Sequence, residues 1–148
     1  MGEYYQADVI HMDDFYLPVE LRTLERLSQP GGNVHYERFA QEVMPGLKRG
    51  TDFAYKRFDC SKMELGEECR VRASRVRIVE GTYSCHPKLG AYMDLCIFLD
   101  VEQENQQERI KLRNGEEKLP DFLNKWIPME EAYFTAFQIK EKADIVLE

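Results

Sequence analysis

Short apolar segments with strand character alternate with helical patterns along most of this 148-residue chain. The strand-like segments are residues 7–12, 75–80, 95–101 and 143–147, and the longest helical patterns between them cover residues 39–47, 102–113, 119–126 and 128–137, with Pro128 opening the last one. Strands that alternate with helices pair side by side in one direction. The pattern therefore predicts an α/β fold with a parallel sheet, and its length favours a single domain over residues 1–148.

A different pattern interrupts this alternation between residues 51 and 74. An aromatic-rich strand over residues 53–60 is followed by the polar stretch 61–68, and residues 70–73 can return beside it. This arrangement predicts a two-stranded β-hairpin, which would project from the core as a flap over about residues 51–74.

Charge and composition exclude several classes of function. The formal charge of -7 and the pI near 5.1 disfavour a general nucleic-acid or anionic-membrane surface. No apolar run approaches the roughly 18 residues that a membrane span requires. The four cysteines form no short-spaced pair, so we expect reduced thiols, no structural zinc and a cytoplasmic protein; they are Cys60, Cys69, Cys85 and Cys96.

Carboxylates close two of the predicted strands. Asp13 and Asp14 follow the first strand, and Glu80 ends another. The carboxyl ends of parallel strands open onto the ligand crevice of an α/β protein, so acids there can reach a metal ion or a reacting hydroxyl. Adjacent residues of an extended chain point to opposite faces, which indicates that Asp13 and Asp14 have separate roles. The alternative is that these acids only cap a turn and end a solvated strand.

A series of short stretches carries a resemblance to a known family. In chain order they are Met12-Asp13-Asp14-Phe15-Tyr16, Gly31-Gly32-Asn33-Val34-His35-Tyr36-Glu37-Arg38-Phe39, Phe58-Asp59-Cys60, Ile78-Val79-Glu80-Gly81, Phe98-Leu99-Asp100-Val101, Arg109 through Arg113, and Trp126-Ile127-Pro128. From about residue 8 to its end, the chain resembles the uridine kinase and phosphoribulokinase superfamily of P-loop kinases. The matched part is the region that follows the phosphate loop and its helix.

The resemblance implies a P-loop NTPase-like kinase fold and the transfer of a phosphoryl group from ATP with Mg²⁺. It makes Asp13 the general base on the acceptor hydroxyl, Asp14 a helper of the Mg²⁺ water shell and Glu80 an acid that faces the metal. The acceptor would be a nucleoside or another small hydroxyl-bearing metabolite.

The resemblance also implies an acceptor pocket. Tyr16 and Phe58 would form its walls, with Asp59 beside them. His35 stands where nucleoside kinases of this group generally carry an aspartate that holds the sugar hydroxyls. A neutral imidazole cannot accept two hydroxyl donors as a carboxylate can, which leaves nucleoside specificity open. Each aromatic residue has an ordinary core role as its alternative.

Arg109 and Arg113 lie four residues apart, on one face of a predicted helix, before a polar, glycine-containing segment. By the resemblance, they belong to a helical lid over about residues 105–127 and neutralise charge on the transferred group. The alternative is a solvated charged face.

The phosphate loop of the family, Gly-x-x-x-x-Gly-Lys-Ser/Thr, does not occur in the sequence, and only six residues precede Ala7. The resemblance therefore predicts a fold truncated at its N-terminus and a kinase that is not competent alone. The missing central strand leaves three expectations: the strands on either side of it pair with each other, a second copy fills the edge in a homodimer, or a partner supplies the strand. A non-catalytic binding or assembly module derived from such a kinase is the alternative function, and an α/β domain with incidental acids is the plainest one.

Overall fold

The structure is a computed structural model that describes residues 7–148. The chain divides into two compact units, one ending at Tyr92 and the other running from Met93 to Glu148. Each unit contains a pair of parallel strands. The mixed α/β character and the parallel pairing that the sequence predicted are therefore confirmed, while the expectation of one domain stays a prediction.

In the first unit, β1 (Val9–His11) pairs in parallel with β4 (Ile78–Glu80). Ile10 lies opposite Val79 and is completely buried, while His11 lies opposite Glu80. The pairing is short, and it places the carboxyl ends of both strands at the same edge of the sheet.

The residues after β1 do not continue as an extended chain. Met12–Phe15 forms a 3-10 turn, in which Asp13 is exposed while Asp14 and Phe15 are buried. The two aspartates do diverge, as the sequence predicted. The 3-10 turn separates them, and not the alternation of an extended strand that the sequence predicted.

The predicted hairpin is present and its second strand is longer than the sequence indicated. Strand β2 (Phe53–Asp59) pairs antiparallel with β3 (Glu64–Val71), and the register shifts between Lys56 and Phe58. Phe58 is almost fully buried and so does not stand at an exposed tip.

Short helices complete the first unit. They are α1 (Leu24–Ser28), α2 (Tyr36–Glu42) and α3 (Met44–Arg49), with 3-10 turns at Val19–Leu21 and Pro87–Leu89. The single helix expected over residues 39–47 is interrupted at Val43, because Pro45 has no N–H to continue the ladder. Gly50 ends α3 in the left-handed region, at φ 72°.

The second unit contains β5 (Ile97–Leu99) in parallel with β6 (Ile145–Leu147). The helical part comprises α4 (Gln103–Asn114), a 3-10 turn (Glu116–Lys118), α5 (Leu119–Asp121), a π turn (Phe122–Trp126), α6 (Ile127–Phe137) and α7 (Ile139–Lys142). Tyr133 is completely buried at the centre of this unit. Phe134 packs edge-on against Phe98 with ring centroids 5.1 Å apart, which joins the helix to the sheet.

Two expectations about the sheet are not met. The almost wholly apolar run Cys96-Ile97-Phe98-Leu99 predicts a strand covered on both faces, but Leu99 is 67% exposed, and within residues 7–148 β5 has β6 as its one neighbouring strand. Direct pairing of that strand with the strand ending at Glu80 is not seen among the strands of residues 7–148, since β4 pairs with β1 and β5 with β6. A second copy or a partner that fills an edge stays a prediction. No helix in the described part of the chain has the length and apolar character to cross a bilayer.

Candidate functional site

Asp13 and Glu80 lie at the same end of the first unit's parallel sheet. The register aligns His11 with Glu80, and Asp13 follows His11 by two residues. Both carboxylate-bearing residues are exposed. The arrangement follows from the parallel pairing itself, because parallel neighbours end at the same edge.

Glu80 has a partner at this edge. Its Oε1 atom makes a close contact with Nδ1 of His11, across the two paired strands. Both side chains are about half exposed, so solvent screens the interaction. The other carboxylate oxygen of Glu80 meets no protein partner among residues 7–148, which leaves it open to a ligand or a metal-bound water.

Asp14 is held in a buried network with the hairpin. Its Oδ2 accepts a hydrogen bond of 2.8 Å from the Tyr55 hydroxyl, and its Oδ1 lies 2.9 Å from Nε of Arg57. Burial and the neighbouring Asp14 carboxylate raise the pKa of Tyr55 well above its ordinary value, so the phenol remains a donor. Both carboxylate oxygens are thereby engaged. Asp14 connects the 3-10 turn to β2.

Arg38 reinforces the same connection from α2. It donates to the backbone oxygen of Asp14 and, at 2.6 Å, to the backbone oxygen of Lys56 on β2, and it forms an ion pair with Glu42 at 3.1 Å. Arg38 is itself buried, and a buried guanidinium is tolerated only when acceptors surround it. The position of Asp13 is therefore fixed by the packing and hydrogen bonds of its neighbour in the turn.

The role that the resemblance gives Tyr16 and Phe58, as walls of an acceptor pocket, stays a prediction, but the two side chains do lie together. Their ring centroids are 6.3 Å apart. Burial raises the pKa of the Tyr16 phenol, the charge of Arg22 opposes this rise, and Cys60 and Asp13 add to it. Asp13 is therefore close enough to Tyr16 to affect it electrostatically, and we name the group of Asp13, Tyr16, Arg22, Phe58 and Cys60 the rim cluster.

Asp59 adjoins the rim cluster and is committed to the hairpin turn. Its Oδ1 accepts hydrogen bonds from the backbone N–H of Ser61 at 2.9 Å and from the Ser61 hydroxyl at 2.6 Å. These bonds lower the pKa of Asp59, which stays ionised at neutral pH. Its Oδ2 lies 3.9 Å from Lys62 Nζ.

His35 stands next to the turn that follows β1. Its backbone N–H donates to Phe15 O at 2.8 Å, and Tyr16 forms an antiparallel bridge with the neighbouring Val34. Burial lowers the pKa of His35, so the imidazole is neutral near pH 7. A neutral ring offers one donor and one acceptor, and this limits what it can hold.

Arg22 and Cys60 are members of the rim cluster that the sequence reading did not select. The guanidinium of Arg22 lies 4.6 Å from the centroid of the Tyr16 ring, and its Nε donates to Leu17 O at 2.7 Å. No spacing rule predicts that Arg22 contacts Tyr16. The contact depends on the irregular path of residues 17–21, which returns the chain to the Tyr16 ring. Only the association of Cys60 with Phe58 and Asp59 in one aromatic-rich strand gave any signal for it.

Arg109 and Arg113 belong to the second unit. Both lie on α4, one helical turn apart, and both are exposed. Arg113 donates from Nε to Asn114 Oδ1 at 2.8 Å. The two guanidinium groups are available to an anion, and the 3-10 turn that follows them contains further charged residues.

The fit of a Mg²⁺ ion can be tested against these carboxylates. Magnesium keeps several waters and takes one or two carboxylates together with substrate phosphates. Glu80 fits that role through its unpartnered oxygen, and Asp13 through its exposure, whereas Asp14 would first have to share its oxygens with Tyr55 and Arg57. Over residues 7–148, no three His, Cys, Asp or Glu side chains are close enough together to hold a metal by themselves.

Comparison with known proteins identifies the fold. The chain is similar to a solved structure from Bacillus stearothermophilus that is described as a possible uridine kinase, with a TM-score of 0.67 over 99% of this chain and 75% of the other. The sequence identity is 16%, so the likeness is one of fold and indicates a distant structural relationship. No protein-family model matches the sequence, and no curated protein matches it.

Proposed function

We propose that this chain is the acceptor-binding part of an ATP-dependent small-molecule kinase of uridine kinase type. The observation that carries the proposal is the parallel pairing of β1 with β4, which brings Asp13 and Glu80 to one edge of the sheet, while Tyr16, three residues after Asp13, packs against Phe58. The fold that it shares with a possible uridine kinase agrees with this. The reaction would transfer the γ-phosphoryl group of ATP to a hydroxyl of a nucleoside or another small metabolite.

In this proposal Asp13 accepts the proton of the attacking hydroxyl. An exposed carboxylate at a sheet edge can reach such a hydroxyl, and positioned bases of this kind contribute about 10² to 10⁴ in rate. Tyr16 and Phe58 form the wall of the acceptor pocket, and His35 and Asp59 border it. The network of Asp14 with the hairpin holds the turn that presents Asp13.

The bound nucleotide brings Mg²⁺, which would neutralise phosphate charge during transfer. Glu80 is the residue that would face the metal, and Asp14 would act on the metal's water shell only by sharing the oxygens that Tyr55 and Arg57 now contact. Arg109 and Arg113 would stabilise the transferred group from the lid helix. Residues 7–148 contain no Gly-rich phosphate-binding loop. We therefore propose that these residues do not catalyse transfer alone and that such a loop has to be supplied from outside them.

A non-catalytic binding or assembly module is the second candidate. The specific observation in its favour is that both oxygens of Asp14 and one oxygen of Glu80 already have protein partners. A module of this kind would keep the pocket and dispense with the metal.

Calorimetry with Mg-ATP, followed by a phosphoryl-transfer assay on an extended form of the chain, separates the two candidates. The kinase reading expects the 148-residue chain to bind Mg-ATP in the millimolar range, and to transfer phosphate once a Gly-x-x-x-x-Gly-Lys-Ser/Thr segment is placed ahead of residue 7. Absence of transfer to every hydroxyl acceptor in that extended form, with the fold intact, would overturn the kinase reading and favour the module.

A further inference from the structure

Arg22 is held in place by contacts that leave its charge without a counter-ion. Its Nε donates to Leu17 O at 2.7 Å and its guanidinium lies 4.6 Å from the centre of the Tyr16 ring. The terminal Nη2 atom is buried and meets no hydrogen-bond acceptor in the described chain. No carboxylate among residues 7–148 lies within ion-pair distance of this arginine.

The other buried or half-buried arginines of this unit have more hydrogen-bond partners than Arg22, although Nε of Arg38 and Nε of Arg77 also lack an acceptor in the described chain. Arg26 makes two bonds to Glu37, at 2.7 and 3.0 Å, and Arg38 has Glu42 as its partner. Arg77 has no carboxylate but reaches three backbone carbonyls, at 3.1 to 3.3 Å. Arg22 has one carbonyl only.

An unsatisfied donor of this kind is costly. A buried polar group without a partner costs about 1 to 3 kcal/mol, and more when it is charged. A trapped water could accept one hydrogen bond but would leave the positive charge unneutralised. A planar guanidinium matches the geometry of a carboxylate or a phosphate, which can take two bonds from it.

The location of Arg22 indicates which molecule would carry the anionic group that it binds. Arg22 stacks on Tyr16, whose ring packs against Phe58. Asp13 influences the same Tyr16 electrostatically. The cation therefore belongs to the same rim cluster as Asp13, the residue proposed as the base.

We propose that Arg22 binds an oxyanion carried by the acceptor, so that the hydroxyl compound phosphorylated here is itself an anion, with a carboxylate or a phosphate group. This inference rests on the proposed function and adds the substrate class to it. Tyr16 holds the guanidinium in place, and the acceptor's hydroxyl points to Asp13 while its anionic group is bound by Arg22. A neutral nucleoside would leave the arginine unpaired.

The test uses the 148-residue chain, labelled with ¹⁵N, and three matched probes: glycerol 3-phosphate, glycerate and glycerol. We expect at least one of the two anions to shift the amide resonances of the rim cluster, and glycerol to shift none at the same concentration. The anion that binds then tells a phosphate-bearing acceptor from a carboxylate-bearing one.

Arg22→Gln should weaken binding of that anion by about 10- to 100-fold, the range expected for loss of a charge-assisted hydrogen bond. Arg22→Lys keeps the charge without the planar fork and should retain part of the affinity. Arg49→Gln is the matched control, because it removes the same charge from an exposed position at the end of α3, and it should change the affinity by less than about twofold. Should Arg22→Gln fail to fold, the partial loss in Arg22→Lys carries the test.

Three results would overturn the inference: no binding of either anion, equal binding of glycerol, or an affinity that Arg22→Gln and Arg22→Lys leave unchanged. These titrations contain no ATP, so such results leave transfer to a neutral acceptor intact as a function. Anion binding without any phosphoryl transfer in the extended form would instead overturn the proposed function and leave the Arg22 site standing.

Discussion

The hydroxyl of Tyr55 donates a 2.8 Å hydrogen bond to Oδ2 of Asp14, and this contact joins the hairpin to the turn that carries Asp13. Asp14 is 6% exposed, so its negative charge depends on donors supplied by the protein. Arg57, two residues further along β2, supplies the second donor. The edge of the sheet and the hairpin are therefore held together by one buried carboxylate.

Removal of the Tyr55 hydroxyl tests this connection. Tyr55→Phe should lower the free energy of unfolding by about 1.5 to 3 kcal/mol, because the bond that is lost has a charged, buried acceptor. Tyr92→Phe is the control: its hydroxyl donates at 2.7 Å to the backbone oxygen of Ser84, a neutral acceptor, and its loss should cost about 0.5 to 1.5 kcal/mol. Denaturant unfolding measures both. Equal losses would show that Asp14 does not depend on Tyr55.

The glycine pair before α2 provides a second prediction. A Cβ atom at Gly32 would stand 1.8 Å from the backbone oxygen of Arg26, a contact that no side-chain movement can relieve. Gly32→Ala should therefore cost about 3 kcal/mol or more. Gly50→Ala has open space around its Cβ but a φ of 72°, so it should cost only about 1 kcal/mol. Thermal unfolding of the two variants would contradict the account if Gly50→Ala were the less stable.

His86 gives a prediction on pH. It is 3% exposed and stacks on Tyr36 with ring centroids 4.5 Å apart, and burial, helped by the charge of Arg26, lowers its pKa to about 4. Between pH 6.5 and 4, His86 binds a proton in the unfolded chain but stays neutral in the folded chain. Stability from this group is thus fully present above pH 6.5 and is lost as the pH falls, by up to about 3 kcal/mol.

The variant His86→Gln separates this effect from the titration of the carboxylates. It should be less stable at pH 7, and its unfolding free energy should fall less steeply than that of the unsubstituted chain between pH 6.5 and 4. Parallel pH profiles for the two proteins would show that His86 does not titrate abnormally in the folded state.

The sequence predicted parallel strands and the hairpin, but it did not predict which of the parallel strands pair. Apolar runs that end in carboxylates indicated that Asp13 and Glu80 would lie at one edge of a parallel sheet, and the pairing of β1 with β4 puts both residues at one edge. The 3-10 turn at Asp13 was not predictable from alternation, because the hydrogen bonds that stabilise it come from Tyr55 and Arg38, which are distant in sequence. The break at Val43 followed from Pro45, which the sequence did contain.

The composition of the site was predictable only in part. Tyr16 and Phe58 were selected together and do lie together. Arg22 was not selected, since its place beside Tyr16 depends on the irregular path between residues 16 and 22. The sequence did not predict the exposure of Leu99, because an apolar run predicts a buried strand whether or not neighbouring elements are present to cover it.

Phosphoryl transfer by the Asp13→Asn variant tests the central claim most directly. In the form that carries a phosphate-binding segment ahead of residue 7, transfer from labelled ATP to its hydroxyl acceptor, anionic or neutral, should fall by about 10² to 10⁴ when Asp13 becomes Asn, with Mg-ATP affinity unchanged. Asp52→Asn, an exposed aspartate at the base of the hairpin, is the control and should leave the rate unaltered. Transfer by Asp13→Asn within about threefold of the unsubstituted protein would contradict the account.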